Sequence, residues 1–288
     1  YIRKFVRIRW CNIQLFKYIK PNITLGIYTL MSSTYLTFNV MYLGLVSDNT
    51  EVGYYTTAFK LYSVLLGFFT AFTSVMLPRM SSLLANGENA RFQELVDRSC
   101  SVVATFCIPL ILYGIILAPQ IIYTLSGPEY EGAIFPMRII MPAAFAVGMA
   151  QVLAIQILMP MKKDRVLLMA SIIGAIVSLL INLLVVPYVA SVGSAVVLLC
   201  SEMVVAATYV VYVLSHRLAR IPIRIVWENI CYSLPGALVC WGCSRWIENE
   251  FVVVVCAVIL AGTVWIIVQV IAKTSVGERM KSLLLLRR

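Results

Sequence analysis

Charged residues are scarce in this sequence, and their scarcity argues against a soluble protein. Asp, Glu, Lys and Arg make up 12% of the 288 residues, whereas hydrophobic residues make up 61% and the mean hydropathy is +0.91. A soluble domain contains about 25% charged residues. A period-two alternation of polar and apolar residues is also lacking, which argues against a membrane β-barrel. The sequence therefore predicts an all-α, polytopic membrane helix bundle.

Residues typical of catalysis and metal binding are nearly absent as well. His216 is the only histidine, and the sequence contains no phosphate-binding loop, zinc-protease motif or catalytic triad motif. The CxxC pair of Cys240 and Cys243 has no second pair beside it, so we expect buried free thiols and not a metal site. No loop is long enough for a soluble catalytic domain. We expect no catalytic residue, no metal and no cofactor.

Eight apolar segments are long enough to cross a membrane, for which an α-helix needs about 20 residues. They are residues 26–46, 53–77, 99–118, 133–158, 166–187, 192–214, 230–247 and 251–272. Four prolines lie inside these spans and predict kinks there, namely Pro109, Pro136, Pro142 and Pro235. Residues 88–98 predict a short surface helix between the second and third spans.

The positions of Lys and Arg predict how the spans are oriented. With a cytoplasmic N-terminus, twenty of the 23 Lys and Arg residues lie in inner segments, and Arg245 alone lies in an outer one. This asymmetry follows the positive-inside rule. The net charge of +10 therefore reflects topology, and we expect no nucleic-acid partner. Both ends of the chain are predicted to be cytoplasmic.

One positive charge lies inside the second span. Lys60 belongs to the stretch TTAFKLYSVLLGFFTAF (residues 56–72), and a lysine within an apolar span costs from about 2.5 kcal/mol upward. On a helix, Lys60 shares one face with residues that are all small or polar, here named the Lys60 stripe: Gly53, Thr56, Lys60, Ser63, Gly67, Thr70 and Ser74. Close helix packing or a lysine that reaches the outer surface would explain the stripe structurally. The buried charge favours a wet cavity or a bundle interior.

Other polar groups lie within the spans. Arg138 lies in the fourth span, Asn182 in the fifth and Glu202 near the middle of the sixth. The candidate substrate-binding residues are therefore Lys60, Arg138, Ser63, Thr56 and Asn182. Glu202 is either a structural carboxyl, paired with a neighbouring helix, or a group that couples transport to an ion. A net positive interior suits an anionic substrate, such as a lipid that carries phosphate.

Three stretches resemble the oligosaccharide flippases of the polysaccharide biosynthesis family, the Wzx type. They are VGYYTTAFKLYSVLLGFFTAFTSVMLPRMSSL (residues 52–83), LSGPEYEGAIFPMRII with IQILMPMKKDR (residues 125–140 and 155–165), and NLLVVPYVASVGSAVVLLCSE (residues 182–202). The last stretch departs from the family pattern, because Val189 and Ala190 stand where a glycine usually follows the proline.

This resemblance implies an architecture and a function. The family belongs to the superfamily of the MATE exporters (MATE/MOP), whose members have two six-helix lobes, and many carry two appended helices. The resemblance places residues 1–25 as a basic cytoplasmic or interfacial segment between lobes. It places 26–214 as the C-lobe, 215–272 as the appended pair and 273–288 as a basic cytoplasmic tail. The N-lobe would be a missing partner of this chain. The cargo would be a polyprenyl-diphosphate-linked oligosaccharide (O-antigen or capsule), flipped by alternating access in the inner membrane among its lipids.

Two other functions remain open at this point. A MATE-like exporter of small molecules could use Glu202 to couple transport to a cation. A membrane-embedded glycan polymerase or ligase would act on the same lipid, but the resemblance implies that such enzymes need a large outer loop. The longest outer segment here is about residues 119–132. We therefore predict a transporter and not an enzyme.

Overall fold

The computed structural model describes residues 15–272, and they are almost entirely helical, with no strand among them. Residues 1–14 of the predicted inter-lobe segment and the predicted tail 273–288 lie outside the described residues. The helices are α1 (Leu15–Val46), α2 (Asn49–Ala85), α3 (Asn89–Ile116), α4 (Ala118–Ser126), a 3₁₀ helix (Pro128–Ala133), α5 (Ile134–Gln151), a π-helix (Val152–Leu158), α6 (Asp164–Ser215), α7 (Ile223–Trp246) and α8 (Glu250–Ile271). The predicted all-α fold class is confirmed.

The eight predicted spans all lie on these helices. Within the described residues, five helical stretches are long and apolar enough to cross a membrane, namely 49–85, 89–116, 128–158, 164–215 and 250–271. The stretch 164–215 is 52 residues long and contains two predicted spans. The first and seventh spans lie on α1 and α7, which have 32 and 24 residues. The predicted surface helix at residues 88–98 is wrong as a separate element, because it forms the first turns of α3, where Phe92 and Val96 are buried.

The long helix α6 is a hairpin of two helical segments. Its backbone breaks at Ala190, where φ is 44° and ψ is −119°. The two segments then pack side by side, since a Cβ added to Gly193 would lie 2.9 Å from the Cα of Val186. The carboxylate of Glu51, near the start of α2, accepts the backbone N–H of Ser191 at 3.0 Å. This bond caps the first N–H group after the break and ties the turn to α2.

The helices form one main packed bundle. Helices α1 and α5 pack against α6, α2 packs against α5, and the largest hydrophobic cluster lies between them. Helices α7 and α8 pack against each other and α7 packs against α3, where Gly236 leaves room for the Tyr113 side chain. A second cluster lies there and contains the buried thiols of Cys240 and Cys243. The division into a C-lobe and an appended pair stays a prediction.

Candidate functional site

The structure places the Lys60 stripe on the outward face of α2. Lys60 is exposed, and Thr56 and Ser63 are half-buried. On the opposite face of the helix, the side chains of Tyr55, Tyr62 and Phe69 are only 1% exposed and lie in the core. The helix therefore buries its aromatic face and presents its small and polar face outside the described bundle, whereas the sequence favours a cavity or a bundle interior for Lys60.

The hydroxyl groups of this stripe are satisfied by their own helix. Thr56 donates to the Val52 carbonyl at 2.8 Å, and Ser63 donates to the Lys60 carbonyl at 2.6 Å. Such bonds let a hydroxyl face an apolar environment without an unpaired donor. The Lys60 ammonium differs, because it forms no ion pair within residues 15–272. The ammonium is thus the group on the stripe that retains capacity for an anionic ligand.

Arg138 and Asn182 lie away from the stripe. The Nε–H of Arg138 donates to the carbonyl of Ile115 at 3.2 Å, one of the last carbonyls of α3, and the side chain is exposed. A guanidinium at this place satisfies the negative end of the helix. Asn182 is fully buried in the α6 hairpin, where its Nδ2 donates to the Ser178 carbonyl at 3.0 Å. Arg138 and Asn182 therefore each have a partner of their own, whereas Thr56, Lys60 and Ser63 share one face of α2.

Glu202 is buried within the bundle and is 6% exposed. Its Oε1 accepts the hydroxyl of Tyr35 on α1 at 2.8 Å. It forms no ion pair with any residue between 15 and 272. Glu202 therefore bonds to a neighbouring helix, as one of the two predictions for it requires, but its partner is neutral.

Glu202 lies on the wall of a cavity of about 180 Å³, here named the tyrosine cavity. Helices α1, α2, α5 and α6 and the π-helix all contribute to its wall, which includes Tyr28, Tyr35, Tyr62, Thr70, Glu202 and Tyr209. Thr70 is an exposed member of the Lys60 stripe. The cavity therefore reaches the Lys60 stripe at Thr70, although Tyr62 of its wall belongs to the buried face of α2.

The rim of the cavity is held by an amide. The Nε2 of Gln151 donates to the Thr70 hydroxyl at 3.0 Å, and its Oε1 accepts the Thr73 hydroxyl at 3.2 Å. These bonds connect the end of α5 to the middle of α2. Both polar ends of the amide are engaged, so Gln151 fixes the rim at that point.

Sequence reasoning missed the cavity. Tyr209 is on the helical face of Glu202, but Tyr28 and Tyr35 come from a span whose polar residues follow no single stripe. The tyrosines themselves could have indicated a polar site. A tyrosine within an apolar span needs a partner for its hydroxyl, which phenylalanine does not.

Comparison with known proteins agrees with this fold. A family model described as a polysaccharide biosynthesis protein matches residues 4–135. A protein of Escherichia coli (strain K12) named “Putative O-antigen transporter” is 27% identical over 189 residues, which are 65% of this chain and 45% of that protein. The solved structure “Lipid II flippase MurJ, inward closed conformation” superposes with a TM-score of 0.72 at 15% identity, over 94% of this chain and 57% of that one.

These matches cover only part of each relative, because the chain spans about half the length of the proteins that it matches. The family model and the relative concern the sequence, whereas the solved structure concerns the fold. The residues matched by the family model include the motif at 52–83. The chain is therefore similar in sequence to the polysaccharide biosynthesis family over residues 4–135, and it shares the fold of the solved flippase structure.

Proposed function

We propose that the protein containing this chain flips polyprenyl-diphosphate-linked oligosaccharide from the inner to the outer leaflet, for export of surface polysaccharide. The observation that carries the proposal is the Lys60 ammonium, which lies without an ion pair among residues 15–272 on an exposed polar face of a membrane helix. The family match and the names of the two relatives support the same function.

A diphosphate is the ligand that best suits this lysine. An ammonium held at membrane depth interacts more strongly with an anion than it would in water, because the surroundings screen the charges less. A lysine in a span faces a bundle interior or a wet cavity and finds a partner there. The diphosphate of the lipid carrier provides that partner, while its polyprenyl chain stays among the membrane lipids.

Alternating access supplies the movement. A polar stripe on the outside of a bundle is costly in lipid, so we infer that the Lys60 stripe faces a second body, the N-lobe that the resemblance implies. Two bodies that rock against each other around a central site can open it to either leaflet in turn. In this reading, transport breaks no covalent bond, and the protein is a transporter and not an enzyme.

A second function rests on Glu202. A carboxyl inside a membrane bundle with a neutral partner is a feature of ion-coupled transporters, so a MATE-like cation-coupled exporter is the alternative. The two functions differ in the charge that the substrate-binding site needs. The exposed stripe carries a cation and no carboxylate, which favours an anionic cargo.

The orientation proposed for the inner membrane is tested by labelling. In a variant without its eight native cysteines, we expect Ser47→Cys to react with an impermeant maleimide added to intact cells and Asp164→Cys to react only after permeabilisation. Ser47 lies between α1 and α2, and Asp164 begins α6, so the two lie at opposite ends of the bundle. Labelling of Asp164→Cys in intact cells would reverse the proposed topology.

The transport function is tested by complementation. Expression of the full-length protein in a strain that lacks its own flippase, together with the matching glycan synthesis enzymes, should restore surface polysaccharide. The lipid-linked oligosaccharide that accumulates in the inner leaflet should fall at the same time. Restored surface polysaccharide without a fall in the accumulated lipid would point to another step of the pathway and contradict the proposal.

A further inference from the structure

The carboxyl group of Glu202 has no cationic partner among residues 15–272. Within residues 15–272, its hydrogen-bond donor is the Tyr35 hydroxyl, and the three ion pairs lie elsewhere, at the start of α3, within α3 and on α7. A buried carboxyl that serves packing alone is better replaced by a neutral side chain, because its desolvation is not repaid. The carboxyl borders open space in the tyrosine cavity, so a ligand from outside can reach it.

The size of the cavity favours a ring over an ion. A cavity of about 150 Å³ holds a benzene molecule. The tyrosine cavity measures about 180 Å³ and is partly open, so it has room for one ring whose substituents extend outside it. A bare metal ion would leave most of this space empty. The described residues also contain no group of three or more His, Cys, Asp or Glu that could hold a metal.

The wall has the chemistry that recognises a sugar. Four tyrosines provide flat apolar faces and hydroxyl groups, and Ser32 adds a further hydroxyl. A carboxylate accepts hydrogen bonds from two neighbouring hydroxyls of a ring, and bonds to a charged acceptor are stronger than neutral ones. We propose that the tyrosine cavity binds one hydroxylated six-membered ring, a single sugar residue of the transported glycan, with Glu202 as its hydrogen-bond acceptor.

The position of the cavity agrees with such a ligand. This inference rests on the proposed function, since it assigns one sugar of that cargo to the cavity. Thr70 at the cavity lies ten residues beyond Lys60 on the same helix face, a distance of about 15 Å along the axis. A diphosphate at Lys60 would therefore leave its first sugars to extend along the stripe towards the cavity.

Binding of simple glycosides to the full-length protein in detergent tests the inference. Saturation-transfer difference NMR detects weak ligands, and the probes are the methyl glycosides of glucose, galactose and N-acetylglucosamine, with sorbitol as an acyclic polyol. We expect ring-proton signals from at least one glycoside and none from sorbitol. Glu202→Gln should weaken this binding about tenfold or more, because the amide keeps the shape but offers one acceptor oxygen where the carboxyl group offers two.

Further variants separate this site from its surroundings. Tyr209→Phe removes one wall hydroxyl and should weaken glycoside binding as well, which keeps the test valid if Glu202→Gln does not fold. The exposed Glu248 lies after α7, and Glu248→Gln should bind like the native protein. Lys60→Ala should lose binding of a short prenyl diphosphate and keep the glycoside signal.

Each outcome decides between the proposals. The sugar site is overturned, even if flipping is observed, by the absence of a glycoside signal from the native protein. It is also overturned if Glu202→Gln and Tyr209→Phe both bind glycosides as well as the native protein does. Binding of sodium ion at Glu202 without any glycoside signal makes the cavity a cation site and also overturns it. Glycoside binding in a protein that restores no polysaccharide export would leave the sugar site standing and refute the proposed function.

Discussion

Replacing Lys60 by alanine is expected to reduce flipping of the lipid-linked glycan by about tenfold to a hundredfold while the protein still inserts. The ammonium lies on the exposed face of α2 and has no ion pair within residues 15–272. Removing a charged hydrogen-bond partner of a ligand costs about 1.5–3 kcal/mol. The measurement is export of surface polysaccharide, normalised to the amount of variant in the membrane. Lys60→Arg should retain more activity than Lys60→Ala, though less than the native protein, because the two cations differ in geometry.

Arg138→Ala is the matched control for Lys60→Ala, because both substitutions remove one positive charge. The Nε of Arg138 is engaged with the Ile115 carbonyl, so Arg138→Ala should lower the thermal stability of the protein through the end of α3, with a smaller effect on export than Lys60→Ala. If Arg138→Ala instead abolishes export at normal stability, the guanidinium contacts the cargo directly, as the sequence predicts. Normal export by both alanine variants would remove anion capture from the proposed function.

The helices and the stripe were accessible from the sequence because they depend on local periodicity. Apolar segments of membrane length predict spans whatever the packing, and steps of three and four residues place Lys60, Thr56 and Ser63 on one face. The structure leaves Lys60 exposed, with Thr56 and Ser63 half-buried, so what this face meets depends on packing that periodicity does not specify. The polar face of residues 88–98 predicts a separate surface helix. This prediction is wrong because the continuity with the next span depends on burial of Phe92 against the bundle, which the polar pattern does not indicate.

The tyrosine cavity could not be found in this way. Tyr35 and Glu202 are separated by 167 residues, and nothing in either segment specifies the other. Their contact depends on how α1 packs against the α6 hairpin. The π-helix that forms part of the wall also follows no sequence rule, because its extra residue per turn does not change the apolar pattern.

The turn of the α6 hairpin shows a departure from the family pattern that has a physical cost. The resemblance leads us to expect a glycine near this turn, and Ala190 adopts φ 44° and ψ −119° there. This backbone conformation suits glycine, and a non-glycine residue in it costs about 1–3 kcal/mol. The N–H that follows, of Ser191, is held by Glu51. The surrounding contacts thus maintain a conformation that the residue itself disfavours.

Substitution of Gly193 by valine is expected to destabilise the protein by about 2–3 kcal/mol or to prevent its folding. Its Cβ would lie 2.9 Å from the Cα of Val186, and backbone atoms cannot move aside as a flexible side chain does. Thermal unfolding in detergent measures the effect. Gly242→Val is the matched control, since nothing lies within 4 Å of its added Cβ, and it should change stability by less than about 1 kcal/mol. Ala190→Gly should act in the opposite direction and raise the unfolding temperature, because it relieves the strained turn. Equal stability of Gly193→Val and Gly242→Val would show that the two segments of α6 do not pack as a close hairpin.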